Sequence, residues 1–276
     1  MEIRDLTTLE EFRRVVELEK DIWGYTDAED VVPVPIFVVT VKRGAVLLGA
    51  FDERGTMAGF VYSLPGIRHA RPIQWSHMLG VVPEHRSSGL GLELKLAQRE
   101  RTLDQRLDLI EWTFDPLQTL NAHFNFTKLG VIVEEYEPNA YGESSSHLHR
   151  GAPTDRFVAE WWIRERRVEE RVAMVRDGRH LRPTVPEDAL PLNVLYFDGT
   201  WHRSVVQRLA PGDERPVVVA IPPDFTRMLA EAPDMAHHWR MDTRELFTDA
   251  FRRGYQARDF VVDAESGGGR YVLVKS

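Results

Sequence analysis

The stretch Val81-Val82-Pro83-Glu84-His85-Arg86-Ser87-Ser88-Gly89-Leu90-Gly91 leaves the chain few conformations. Val81 and Val82 end an apolar run. Pro83 lacks the N–H that a strand interior requires. Two glycines then open a leucine-rich stretch of helical character, so a strand is predicted to stop, turn tightly and enter a helix at the glycines. The first turn of such a helix has unpaired N–H groups and the positive end of the helix dipole. Glycine lets a bulky anion approach that backbone, and Arg86 adds charge. This is an anion cradle, with Val81, Val82, Arg86, Ser87, Ser88, Gly89, Leu90 and Gly91 as candidate contacts. It is not a P-loop, which ends in Gly-Lys-Ser/Thr. It is not the dinucleotide fingerprint either, because Leu94 stands where the third glycine belongs.

The surrounding pattern gives the cradle a context. Thr8-Leu9-Glu10-Glu11 fits a capping box, and a helix is predicted to about Trp23, after which Pro33 and Pro35 break the pattern. Ala45–Phe51 and Met57–Ser63 read as a hairpin around Asp52-Glu53-Arg54-Gly55, ended by Pro65-Gly66. Trp75–Val82 is a third strand. A helix over Gly89–Leu103 follows, with Leu92, Leu96 and Leu103 near one face. A strand over Leu109–Phe114, a helix over Leu117–Leu129 capped by Gly130, and a strand over Val131–Tyr136 complete the series. The fold class is α/β of the mixed α+β kind, a mostly antiparallel sheet flanked by helices.

Past this point the pattern is thinner. Arg156–Ile163 reads as a strand closing the first domain, and Arg164–Arg176 as an exposed, charge-laced helix. Pro183, Pro186 and Pro191 mark a connector. Val217–Ile221 is a strand, helices run over 224–232 and 242–253, and a hairpin surrounds Ser266-Gly267-Gly268-Gly269. Helices ending at Gly130 and Gly254, each before a strand, suggest that the C-terminal part is a degenerate half-copy of the first domain; an unrelated α+β cap fits the pattern equally. The expected division is a domain over 1–163, a helix and connector over 164–190, and a C-terminal α+β domain over 191–276.

Composition excludes several classes. The chain of 276 residues has a formal net charge of −8 and no cysteine. A general nucleic-acid binder shows a basic excess, so none is expected. Thiolate metal sites, disulfides and a cysteine nucleophile are excluded. No apolar run reaches the length of a membrane span, and the N-terminus lacks the apolar core of a signal peptide, which makes a cytoplasmic location the expectation. His147 and His149 with Glu143 do not make a convincing ligand set, and no metal is expected.

Arg86-x-x-Gly89-x-Gly91 after a strand, with Asn121-Ala122 on the next strand-to-helix passage and a helix ending at Gly130, resembles the GNAT superfamily of N-acyltransferases over roughly residues 1–136. Ser76-His77-Met78, Trp112–Leu117, Asn121–Gly130 and Pro153-Thr154-Asp155-Arg156 are similar to a bacterial subgroup linked to N-acylamino-acid metabolism. The resemblance implies a GNAT fold and an acyl-CoA cosubstrate, acetyl-CoA or succinyl-CoA, whose acyl group passes to the amine of a small molecule such as an amino acid. It further implies that the cradle holds the CoA diphosphate, that Asn121, Asn125 and Lys128 contact the cofactor arm, and that the motif strand splays from its neighbour. The chain would work as a monomer or a homodimer. Two alternatives stay open: a non-catalytic acyl-CoA-binding or assembly protein on this scaffold, and an acyltransferase acting on protein amines.

Direct attack of an amine on a thioester requires a proton acceptor and polarisation of the carbonyl. His77 on the motif strand titrates near neutrality and is the candidate base; a histidine satisfied within the sheet is the plain alternative. Glu111 is a second candidate, for proton relay or for binding the amine. Asp115 before Pro116 reads as a helix cap. Arg156, with Tyr141, is a candidate clasp for a substrate carboxylate, and Arg68 is a weaker one. In the superfamily a tyrosine often protonates the departing thiolate; here that position holds Phe126, which leaves Tyr136 or a water for the role. Trp161-Trp162 reads as core and sheet-edge packing.

Overall fold

The computed structural model describes residues 1–142, 152–179, 181–210, 212–263 and 267–276. The chain forms two compact units that divide between Trp112 and Thr113, with residues 162–164 returning to the first.

In the first unit, β1 (Glu2–Asp5) precedes α1 (Leu9–Trp23) and α2 (Val34–Val41). The strands β2 (Val46–Phe51), β3 (Met57–Arg68) and β4 (Arg71–Val81) follow, then α3 (Leu90–Asp104) and β5 (Leu109–Phe114). The strand order is β1-β2-β3-β4-β5, antiparallel except for the parallel β4–β5 pair. Alternation along β2 and β3 supplies two apolar faces. Leu47, Phe60 and Tyr62 join Phe12, Val15, Leu18 and Phe37 of α1 and α2. Val46, Leu48 and Val61 join Leu90 and Leu94 of α3 on the other side. The capping box is present: the Thr8 side chain accepts from the Glu11 N–H, and the Glu11 carboxylate accepts from the Thr8 N–H.

Three expectations for this unit change. Pro33 and Pro35 do not merely end a pattern: Pro33 is the N-cap of α2 and Pro35 lies in its first turn, where a missing N–H costs nothing. Pro65-Gly66 does not end β3, which runs on to Arg68 and pairs with Arg71 through a turn at His69-Ala70. The buried stripe of α3 is not Leu92, Leu96 and Leu103 but Leu94, Lys95, Gln98, Arg99 and Thr102, so polar groups lie where apolar ones were expected.

The second unit contains α4 (Thr119–Ala122), which widens into a π-helical segment over His123–Leu129, then β6 (Ile132–Glu137), β7 (Arg156–Trp162) and α5 (Arg166–Arg176). The strands β8 (Leu190–Pro191), β9 (Asn193–Phe197), β10 (His202–Val206) and β11 (Val217–Ile221) follow. The helices α6 (Phe225–Glu231) and α7 (Pro233–Arg252) and the strands β12 (Tyr255–Val262) and β13 (Gly269–Lys275) complete it. The strand order is β7-β6-β12-β13-β11-β8, mostly antiparallel, beside a β9–β10 hairpin. The proline-marked connector thus contributes short strands that its composition did not announce. The second C-terminal helix begins at Pro233 and not near residue 242. The helix over 166–176 is not wholly solvated: Arg171 is buried and pairs with Asp259 at 2.9 Å. Both tryptophans pack as expected, with Trp161 buried and donating from Nε1 to the Leu129 carbonyl at 2.8 Å.

An aromatic cluster fills the core of this unit. Phe157 lies 4.6 Å from Phe247 and 5.3 Å from Tyr271, centroid to centroid. Two buried ion pairs anchor α7 above it. Arg240 grips both oxygens of Asp115 at 2.7 Å. One turn on, Arg244 reaches Asp155 at 2.8 and 2.6 Å. Asp115 also accepts from the Leu117 N–H at 2.9 Å, but it does not cap a helix as expected: α4 begins at Thr119 with Gln118 at its N-cap, and the bond closes the turn before it. Burial pushes its pKa up, and Arg240 outweighs that and holds it below the usual carboxylate value. Among the described residues, no helix is long and apolar enough to cross a membrane.

Removing one partner of such a pair leaves an uncompensated buried charge. Arg240→Ala and Asp115→Ala should each lower unfolding free energy by about 3–5 kcal/mol in urea titration. The double variant should lose much less than the sum; additive losses would show the pair to be uncoupled.

Candidate active site

The cradle forms as its sequence predicts. After β4, Pro83–His85 make one 3-10 turn, and α3 starts behind Gly89. Ser87 and Gly89 have φ of 63° and 92°. Positive φ at two residues so close together is a backbone feature that anion-binding loops use. The Arg86 Nε donates to the Val81 carbonyl at 3.3 Å, which folds the guanidinium back over the loop. The Ser88 Oγ donates to the His85 carbonyl at 2.7 Å. The glycines play different parts. A Cβ at Gly89 would meet no atom within 4 Å, but its φ disfavours any side chain. A Cβ at Gly91 would make only ordinary contacts, 3.9 Å from Leu79 and Val81. The fold does not demand glycine at 91, whereas at Gly89 the position of a side chain is open space.

The motif strand carries two further features. Tyr62 pairs with Met78 while Ser63 pairs with Ser76, so His77 is the extra residue of a β-bulge. The bulge turns His77 and Met78 to the same face, where Met78 packs with the α1–α2 cluster and Tyr62 meets the His77 ring edge-on at 6.2 Å. His77 is exposed overall, yet protein atoms take water from its ring, and this loss of hydration lowers its pKa below the ordinary histidine value. It is a neutral imidazole at pH 7.

The second feature is a fork. β4 pairs with β5 at Gln74–Ile110 and Trp75–Glu111, and among the described residues the ladder stops there, although β4 continues to Val81. Among the described residues, none pairs with the backbone edge of β4 on that side beyond Trp75. Glu111 is paired by register with Trp75, two residues before His77, so it shares the His77 face. It is buried and ion-paired with Arg68. Arg68 is therefore the partner of Glu111.

A buried carboxyl that sequence reasoning missed lies on the same face. Glu19 of α1 accepts the Val32 N–H at 2.8 Å, while its Oε1 is buried without a hydrogen bond. Burial raises its pKa to about 7 against the pull of the Val32 bond. The signal for Glu19 was a charged residue inside the apolar stripe of Phe12, Val15, Leu18 and Ile22; Lys95, buried among polar neighbours of α3, was missed as well and had no such signal.

The remaining candidates lie in the second unit. Asn121 is exposed on α4. Asn125 is buried, and its carbonyl receives the N–H groups of Gly130 and Val131. Lys128 is half-buried in the π-helical segment. Phe126 is fully buried, 5.6 Å from Tyr271, and belongs to the core. Tyr136 donates to Asp155 at 2.6 Å, and burial together with that carboxylate holds it protonated far above the ordinary tyrosine pKa. That commitment makes it a poor proton donor. Arg156 and Tyr141 do come together, with the guanidinium 5.4 Å above the ring, and the Tyr141 hydroxyl lies 2.6 Å from the Thr113 Oγ1. Glu143, His147 and His149 lie outside the described residues.

No family profile matches the chain, and no curated protein matches its sequence. Among solved structures it is similar to a protein of Desulfovibrio desulfuricans assigned to the GNAT family of acetyltransferases (14% identity over 59% of this chain and 98% of that one, TM-score 0.46). It is also similar to aminoglycoside 6'-acetyltransferase type Ii (16%, 60% and 99%, TM-score 0.45). The PaiA N-acetyltransferase of Thermoplasma acidophilum, solved with coenzyme A, is a third (17%, 58% and 96%, TM-score 0.41).

The Glu19 carboxyl makes stability pH-dependent. Its folded pKa of about 7 lies above the ordinary 4.5. The protonated fold is therefore favoured below pH 4.5, and that advantage is lost as pH rises through 7. Glu19→Gln keeps an acceptor for Val32. It should raise unfolding free energy by about 3 kcal/mol at pH 8 and leave it unchanged at pH 4. Equal effects at both pH values would show that the carboxyl does not titrate in the fold.

Proposed function

We propose that this protein is an acyl-CoA-dependent N-acyltransferase, moving an acetyl or succinyl group to the amine of a small molecule such as an amino acid. The observation that carries the reading is the combination, on one strand, of the fork, the bulged His77 and the cradle at the strand's end. A diphosphate at the Ser87–Gly91 amides would lead its pantetheine arm back along the β4 edge that no described residue pairs beyond Trp75. The thioester would then lie near His77.

In the reaction the amine nitrogen bonds to the thioester carbon, and the C–S bond breaks as the tetrahedral intermediate collapses. Neutral His77 accepts the proton that the amine loses. Glu111, tied to Arg68, contributes charge on the same face and is not free to act as a simple base. No side chain is assigned to the thiolate, because Phe126 carries no proton to give and Tyr136 is committed to Asp155. CoA thiols leave readily enough for water to complete the step. A cytoplasmic, acyl-CoA-replete setting suits this chemistry.

Free thiol should appear when acetyl-CoA or succinyl-CoA is mixed with the protein and a panel of amino acids. Tight CoA binding without turnover for any pair would replace this reading with a binding protein on the same scaffold, and turnover confined to peptide N-termini would replace it with a protein acyltransferase. His77→Ala should lower kcat/KM by about 100-fold or more with little change in CoA affinity. The wild-type profile should fall with one proton below the depressed histidine pKa, and the variant should lack that limb. Gly89→Ala puts a methyl into the open space at the helix start and strains a positive φ, and should weaken CoA binding about tenfold.

A further inference from the structure

Lys95 is buried in the first unit, and the mechanism above does not use it. Its ammonium donates to the Ser76 Oγ at 2.9 Å and the Gln98 Oε1 at 3.0 Å, and lies 3.6 Å from the centre of the Trp112 ring. Burial pushes its pKa well below the usual lysine value, and among the described residues no carboxylate offsets this. The position of its partners gives the group meaning. Trp75–Glu111 is the last rung of the β4–β5 ladder, and Ser76 and Trp112 are the next residues on the two strands. Ser76 also immediately precedes the bulged His77. Lys95 therefore joins the strands by side-chain contacts at the point where backbone pairing ends.

We propose, on the acyl-CoA reading above, that Lys95 is a positioning residue: its ammonium ties Ser76 to Trp112 at the root of the fork and so sets the gap that receives the pantetheine arm. Stability alone does not call for a charge there. Burying an ammonium is costly, and a methionine of similar length would fill the same space without that cost. The cation–π contact and the two hydrogen bonds define a spacing and a direction, which an apolar side chain would not.

Lys95→Met tests this with two ligands, measured by calorimetry beside a thermal melt. CoA carries the pantetheine arm, and 3'-phosphoadenosine 5'-diphosphate carries the cradle-binding part without it. The variant is expected to melt at or above the wild-type temperature, to bind CoA about tenfold more weakly, and to bind the nucleotide unchanged. Unchanged CoA affinity, or equal loss for both ligands, overturns the inference and leaves the acyl-CoA reading standing. A wild-type protein that binds neither ligand overturns both. If Lys95→Met does not fold, Ser76→Ala removes the β4 side of the tie and is read by the same comparison.

A separate observation concerns the second unit. The helices before β6 and β12 both end at a glycine with φ of 79°, Gly130 and Gly254. Val133 and Ala257 hold the same place after their glycines, and both strands bulge at the next residue. These two equivalent residues also face each other, Ala257 pairing with Val133 across antiparallel strands. Equivalent positions facing each other on antiparallel strands are the mark of a two-fold axis. We infer that the helix–hairpin of the C-terminal part repeats the earlier one and covers the β6 edge as a second subunit would, leaving that edge closed to another copy. In the cysteine-free chain, Val133→Cys with Ala257→Cys, refolded under oxidising conditions because both positions are fully buried, should give a disulfide within one chain at every dilution. Links between chains, or none, would overturn this. Should the double variant not fold, wild-type hydrogen exchange over 132–137 decides: protection independent of protein concentration is expected, and protection that fades on dilution is the contrary result.

Discussion

The parallel ladder between β4 and β5 has only two rungs, Gln74–Ile110 and Trp75–Glu111, and much of the first unit follows from where it stops. Below that point the strands are held by their backbones. Above it β4 goes on alone, kept straight by its antiparallel pairing with β3, and delivers the chain to the cradle. The bulge at His77 falls just past the last rung. A strand paired on both sides has no room for an extra residue to re-aim its side chain; a strand released on one side does. Fork, bulge and cradle thus follow one another along a single strand.

Buried charge is distributed with a consistent logic. In the second unit, Arg240–Asp115 and Arg244–Asp155 are matched bidentate pairs spaced one helical turn apart, and they hold α7 to the segments bearing Asp115 and Asp155. In the first unit, Glu19 and Lys95 are buried singly, each shifted toward its neutral form by loss of water. Paired charges are compatible with a structural role, because each repays the other's desolvation. Single ones cost stability, and both lie against the elements that carry the candidate active site.

Much of the cradle was legible in the sequence because its signals are local. A proline that must end a strand, glycines that must open a helix and an arginine between them act within a few residues of one another. The capping box at Thr8, the αL glycine at Gly130 and the helix over 90–104 were legible for the same reason. What failed to read were features set by partners far along the chain. Pro65 reads as a terminator, yet β3 continues through it because Gln74 and Ile73 pair alongside. Lys95 and Gln98 lie on the buried face of α3 because Ser76 and Trp112 stand opposite, which no local residue pattern announces.

The sequence by itself determined the mixed α/β order of elements, the position of the cradle and the absence of thiol chemistry, since these depend on backbone restrictions and on which residues exist at all. Only the tertiary structure decided that His77 is the bulged residue, that Arg68 holds Glu111, that Tyr136 is bound to Asp155, and that Val133 faces Ala257. Each of those is a relation between residues separated along the chain. Which charge meets which, and which strand is released from its neighbour, follow from packing and strand register, and neither is written in local residue order.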